Sequence, residues 1–127
     1  MTHLQRIDYR PTAEGLRHDE ERFLQEHFEA YGAEMLVSGD VVRWEHIDEV
    51  EVVPAPRIAG LAGWLVKLLF LKNEQRYHLG IYYGAREAIL PNITWNTAQY
   101  VLLNVAYYAP NPIEYKGPED LVPIAEI

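Results

Sequence analysis

The stretch that decides the fold is "RYHLGIYYG", which runs from Arg76 to Gly84. Its side chains alternate in character: one parity holds Tyr77, Leu79, Ile81 and Tyr83, and the other holds His78 and Tyr82. Alternation with a period of two is typical of a strand that buries one face. The sequence therefore predicts a strand over Gln75–Tyr83 with the first set facing the core. Gly80 within it indicates either a bulge or space for a neighbouring large ring.

The segments around this strand extend the β pattern. A second strand, Arg86–Leu90, follows a turn at Gly84-Ala85. Upstream, "EMLVSGDVVRW" (34–44) predicts two short strands joined at Gly39-Asp40 by a type II′ turn, because glycine stands first in that pair.

The period of the sequence changes after that hairpin. In "WEHIDEVEVV" the residues Trp44, Ile47 and Val50 recur every three positions before alternation resumes. A slip of this kind predicts a bend or bulge within a β segment.

Two segments have helical periodicity. Leu16–Tyr31 predicts an N-terminal helix, with Gly32 suited to the position after its end. The later segment "ITWNTAQYVLLNVAYYAP" predicts a second helix with Thr94 as N-cap. Its apolar stripe comprises Trp95, Ala98, Val101, Leu102, Val105 and Ala109, and prolines follow it.

Length and element order together predict one α+β domain over residues 1–127. We expect a curved antiparallel sheet, or a small barrel or roll, capped by the C-terminal helix and accompanied by the extra N-terminal helix. The core is expected to span about residues 4–109, and a proline-containing tail, 110–127, follows it.

Composition narrows the functional classes. The chain carries 11 Lys+Arg against 19 Asp+Glu, a formal net charge of −8, and no cysteine. An acidic balance disfavours nucleic acid and anionic lipid as partners, and the lack of cysteine removes thiolate chemistry and disulfides. The N-terminus lacks the apolar core of a secretory signal, so we expect a cytoplasmic location.

The sequence of residues 57–71 is consistent with two secondary structures: a strand from Trp64 onward, or the end of a helix that begins near Arg57. If "WLVKLLFL" (64–71) is a strand, both of its faces are apolar apart from one lysine. Such a surface needs a cover, supplied either by the chain itself or by a partner. The partner interpretation makes five residues a binding surface for another protein or a second copy: Trp64, Leu65, Lys67, Leu69 and Leu71.

Candidate chemistry elsewhere is sparse in the sequence. The five histidines do not form a metal-ligand spacing such as HExxH. A charged outer strand face explains the acidic run Glu45, Asp48, Glu49 and Glu51. General acid–base catalysis would instead need a pair of these carboxyls to face a cleft. We predict no catalytic, metal-binding or cofactor-binding residue.

The order of elements resembles the bacterial pleckstrin-homology-like domains. In these, a strand with an aromatic residue leads into an isoleucine and a valine spaced three apart, here Trp44, Ile47 and Val50, and a helix closes the domain, here Thr94–Ala109. The resemblance covers roughly residues 34–109, while the N-terminal helix and the long tail depart from it. It implies a small barrel or roll that serves as a binding or regulatory module without catalysis.

The leading hypothesis is therefore a noncatalytic interaction module that binds a protein partner or itself, as a homodimer, through residues 64–71. Two alternatives stay open: a small enzyme or ligand binder with a pocket around His46 and His78, and a peripheral membrane module.

Overall fold

The computed structural model describes residues 1–55 and 74–126, and within them the chain is α+β. The strands are β1 (Thr2–Leu4), β2 (Phe28–Ala30), β3 (Glu34–Val37), β4 (Asp40–Arg43), β5 (Ile47–Pro54), β6 (Tyr77–Tyr83), β7 (Arg86–Ile93), β8 (Glu114–Lys116) and β9 (Ile124–Glu126). The helices are α1 (His18–His27) and α2 (Trp95–Tyr108), with a short 3₁₀ helix at Trp44–His46.

The strands form two open sheets in the described part of the chain. One is the three-stranded meander β2-β3-β4, and the other has six strands in the order β7-β6-β5-β8-β1-β9. Its neighbours are antiparallel except for β5 and β8, which run parallel. The predicted antiparallel pairing is therefore confirmed except at this one pair. A parallel neighbour requires a long crossover connection, and α2 lies in the connection between β7 and β8.

Strand β6 confirms the prediction from the alternating stretch. Leu79 and Ile81 are fully buried, and β6 pairs with β7 across the expected turn at Gly84-Ala85. Gly80 provides space for a ring, because an added Cβ atom would lie 3.0 Å from the Tyr82 hydroxyl oxygen. The predicted bend or bulge within the β segment is also present, since the register of β5 with β6 shifts between Ile47 and Glu49.

The first hairpin has a different turn from the expected one. β3 ends at Val37 and β4 begins at Asp40, so the turn residues are Ser38 and Gly39. Both have positive φ angles, 48° and 90°. That is the requirement of a type I′ turn, whose twist matches that of the flanking strands.

The N-terminal helix is shorter than predicted. It ends at His27, and Phe28 turns into β2, where it pairs with Val37 of β3. The ring of Phe28 is buried and meets Tyr100 edge-on. Helical periodicity alone favours continuation to Tyr31, but the neighbouring strand offers backbone hydrogen bonds and a buried site for the ring. Tertiary pairing therefore ends the helix.

Helix α2 confirms its prediction and supplies one wall of the core. Its N-cap is Thr94, whose hydroxyl accepts a hydrogen bond from the backbone N–H of Thr97 at 3.1 Å. Four stripe residues are fully buried: Ala98, Val101, Leu102 and Val105. They belong to one apolar cluster with the inward residues of β5, β6 and β7.

The beginnings of the two helices meet at a buried carboxylate. Glu20 in the first turn of α1 accepts a hydrogen bond from the backbone N–H of Arg17 at 2.9 Å, which caps α1. The hydroxyl of Thr94 donates to the other Glu20 oxygen. One side chain thus satisfies donors from both helix beginnings.

The tail is part of the sheet and of the core. It contributes β8 and β9, and it buries Ile113, Tyr115, Leu121 and Val122. The hydroxyl of Tyr115 donates to the Pro118 carbonyl oxygen at 2.6 Å. The core in the described residues therefore extends beyond residue 109.

We expect Thr94→Ala to lower the free energy of unfolding by about 1–3 kcal/mol, because α2 loses its cap and buried Glu20 loses a donor. Urea unfolding of the full chain measures the change. Thr12→Ala at an exposed position is the control and should change stability by less than about 0.5 kcal/mol. Equal stability of the two variants would contradict this role of Thr94.

Alkaline stability provides a test of how the tail is held. Burial, followed by the charge of Asp120, raises the pKa of Tyr115 to about 12, whereas an unfolded tyrosine ionises near pH ~10. Between these values the unfolded state loses the proton and the folded state keeps it, so stability falls as the pH rises.

Tyr115→Phe should reduce that alkaline loss, while its lost hydrogen bond costs about 1 kcal/mol at neutral pH. Urea unfolding across this pH range measures both effects. Tyr9→Phe, at a ring that is 55% exposed, should retain the alkaline loss of the unmodified chain. If stability falls with pH as steeply in Tyr115→Phe as in the unmodified chain, Tyr115 does not cause the alkaline loss.

Candidate functional site

Three tyrosines line an open groove on the surface. Tyr9 lies in the segment after β1, and Tyr107 and Tyr108 end α2. The groove has a volume of about 900 Å³ and is completed by Gln5, Arg6, Ile7, Asp8, Gly32 and Pro123. We call it the tyrosine groove.

The floor of the tyrosine groove is fixed by stacked rings. Buried Trp44 stacks on Tyr108 with ring centroids 4.9 Å apart and planes inclined by 11°, and Tyr107 meets Tyr108 edge-on at 4.8 Å. The indole N–H of Trp44 donates to the Tyr31 carbonyl oxygen at 2.7 Å. These contacts join the 3₁₀ helix, the β2–β3 loop and the end of α2, so Tyr107 and Tyr108 are held before any ligand binds.

A smaller cavity adjoins the groove. It has a volume of about 280 Å³ and shares Gln5 and Arg6 with the tyrosine groove as lining residues. Its other walls are mostly apolar and come from β1, the end of α2, the following prolines and the tail; they include Leu4, Val105, Ala106, Ala109, Ile113 and Ala125. We call it the apolar cavity.

The predicted association surface falls outside the part of the chain that the structure describes. This holds for all five of its residues: Trp64, Leu65, Lys67, Leu69 and Leu71. Their role as a partner surface stays a prediction.

The two histidines of the alternative pocket have different surroundings. His46 lines an open groove of about 740 Å³, where its Nε2 atom lies 3.8 Å from a Glu45 carboxylate oxygen. His78 does not line that groove. Its Nδ1 atom accepts a hydrogen bond from the backbone N–H of Asn92 at 3.0 Å, close to an irregularity in the β6–β7 register.

The acidic run divides among structural contacts. Asp48 accepts a hydrogen bond from the backbone N–H of Gly84 at 2.8 Å and so holds the β6–β7 turn. Glu49 pairs with Lys116 of β8 at 2.8 Å, and this carboxylate raises the lysine pKa. Glu51 accepts a hydrogen bond from Tyr82 at 3.4 Å, and burial followed by the charge of Glu51 raises the pKa of that phenol.

The described residues contain no group of three or more His, Asp or Glu side chains placed to hold a metal ion. Within the same ranges, neither helix has the length and apolar character needed to cross a membrane.

Reasoning from the sequence does not find the tyrosine groove. The sequence pattern is consistent with Tyr107 and Tyr108 either forming a binding surface or packing the tail onto the body. It does not single out Tyr9 or Arg6. One signal is present: two adjacent tyrosines end the helix directly before Ala109 and Pro110, and neither belongs to the apolar stripe that faces the core.

Comparisons with known proteins give no relative from which to assign the site: no family model matches the chain, and no curated protein or solved structure matches it significantly.

Trp44→Phe should lower the free energy of unfolding by about 1–3 kcal/mol, because the Tyr31 carbonyl loses its donor and the stack on Tyr108 shrinks. Urea unfolding measures this cost. Trp95→Phe is the matched control, since that indole is only half-buried beside Tyr77. If both substitutions cost the same, Trp44 does not hold the groove floor in the way described.

Proposed function

We propose that this chain is a noncatalytic interaction module that holds an extended segment of a protein partner in the tyrosine groove. The observation that carries the proposal is the convergence of Tyr9, Tyr107 and Tyr108 on one open groove, with Tyr108 stacked on the buried ring of Trp44. The resemblance to pleckstrin-homology-like domains, which implies binding without catalysis, agrees with this function.

Tyrosine suits such a surface because its ring supplies apolar contact area while its hydroxyl group stays able to hydrogen-bond in water. Tyr9 is 55% exposed in the free chain, so a partner would gain by covering it. Tyr107 and Tyr108 are held by ring contacts. Little side-chain freedom is then lost on binding, and this lowers the entropic cost of association.

The shape of the groove favours an extended peptide segment. Residues Gln5 to Tyr9 and the end of α2 both contribute to its lining, and the groove is open to solvent. Aromatic-lined channels of this kind accept extended segments, including proline-rich ones, because those segments offer flat apolar faces at low entropic cost.

Self-association and a cytoplasmic location stay part of the proposal as predictions from the sequence. The apolar segment 64–71 is the predicted surface for a second copy, and it is a different part of the chain from the residues that line the tyrosine groove.

Panning a phage-displayed random peptide library on the purified full chain tests the proposal. We expect selected peptides, once synthesised, to perturb the amide resonances of Gly32, Tyr107 and Tyr108 in an isotope-labelled sample. Tyr9→Ala should weaken their binding by about tenfold or more, as loss of an aromatic hot spot does.

Val41→Ala is the matched control, because Val41 is 52% exposed on β4 and does not line the groove; it should leave the affinity unchanged. Peptides whose resonance map avoids the groove, or whose affinity is the same for Tyr9→Ala, would refute the proposed site. Loss of a dimer in Tyr9→Ala, measured by light scattering, would instead identify a second copy as the occupant.

A further inference from the structure

Arg6 lies where the two cavities meet. It lines both the tyrosine groove and the apolar cavity, and its side chain is exposed. Within residues 1–55 and 74–126, no hydrogen bond or ion pair engages its guanidinium group, whereas Arg17, Arg43 and Lys116 each pair with a carboxylate at 3.2 Å or less. The guanidinium group of Arg6 is therefore available for pairing at the place where the tyrosine groove and the apolar cavity meet.

The apolar cavity has room for one large aliphatic side chain. Its volume is about 280 Å³, and its apolar lining includes Val105, Ala106 and Ala109 of α2 together with Ile113 and Leu4. Filling such a cavity with a leucine-sized group removes apolar surface from water on both partners.

We infer that the bound partner segment carries a single acidic residue next to a large aliphatic residue. The acidic side chain pairs with Arg6, the aliphatic side chain enters the apolar cavity, and the chain on the other side of the acidic residue lies across the tyrosines. This inference rests on the proposed function, because it names the chemistry of the segment that occupies the same groove.

The charge of the chain limits the partner to one acidic residue. A guanidinium group forms charge-assisted, often bidentate, hydrogen bonds with a carboxylate. The whole chain has a formal net charge of −8, and Asp8 lines the same groove, so a run of acidic residues would be repelled. A single carboxylate gains the contact with Arg6 and avoids most of that repulsion.

Capped synthetic peptides test the inference with the full chain. The probe is GSLEPYGS, compared with GSLQPYGS, in which glutamine replaces glutamate, and GSAEPYGS, in which alanine replaces leucine. Titration into isotope-labelled protein should give an affinity about five- to tenfold higher for the glutamate peptide than for the glutamine peptide, as one charge-assisted contact provides.

Arg6→Gln should remove that difference by lowering the affinity of the glutamate peptide to that of the glutamine peptide. Arg22→Gln, which removes the same charge at an exposed position on α1, should preserve it. Ala125→Leu narrows the apolar cavity at a partly exposed position in β9. It should lower the affinity of the leucine peptide more than that of the alanine peptide.

The outcomes separate this inference from the function on which it rests. Equal affinities for the glutamate and glutamine peptides, both lowered by Tyr9→Ala, would overturn recognition of the acidic residue and leave the groove as a peptide site. A difference that persists in Arg6→Gln would overturn the pairing with Arg6 and likewise leave the groove as a peptide site. If none of the peptides binds with dependence on Tyr9, the inference and the proposed function both fail.

Discussion

The buried carboxylate of Glu20 is the constraint on which the arrangement of the helices depends. A carboxylate without partners costs several kcal/mol when buried, so its oxygens must be satisfied. They accept from the Arg17 backbone and from the Thr94 hydroxyl, and the Arg17 guanidinium lies 3.7 Å away. Supplying these donors brings the beginnings of α1 and α2 together. Burial of the α2 stripe sets the direction of the helix, and its length is about 20 Å. The position of its beginning and this direction together decide where its last residues emerge.

Those last residues carry the proposed function. Tyr107 and Tyr108 line the same groove as the segment after β1, and Trp44 stacks on Tyr108. Trp44 belongs to the short 3₁₀ helix that joins the small sheet to β5. The same residue thus anchors the core and supports the groove. Tyr107 and Tyr108 are therefore extensions of the packed interior, whereas Tyr9 is presented by the segment after β1.

The local sequence pattern predicted the elements whose apolar residues recur with a strong period. Strand β6 and helix α2 have alternating and helical stripes that only one arrangement can bury, and both match the expectation. The end of α1 and the parallel place of β8 were not predictable in this way. Phe28 leaves the helix because β3 offers it a paired strand, and β8 joins β5 through a crossover, so both depend on residues far away in the sequence.

By itself the sequence determined an acidic, cysteine-free α+β chain, its central hairpin and its closing helix, because periodicity and turn chemistry are properties of neighbouring residues. Only the tertiary structure decided which residues come together in the tyrosine groove and where Arg6 lies beside it. Tyr9 and Tyr107 lie near opposite ends of the chain, and nothing in their neighbours' pattern relates them. They meet because burial of the α2 stripe and pairing of β1 with the tail strands leave one place for each segment.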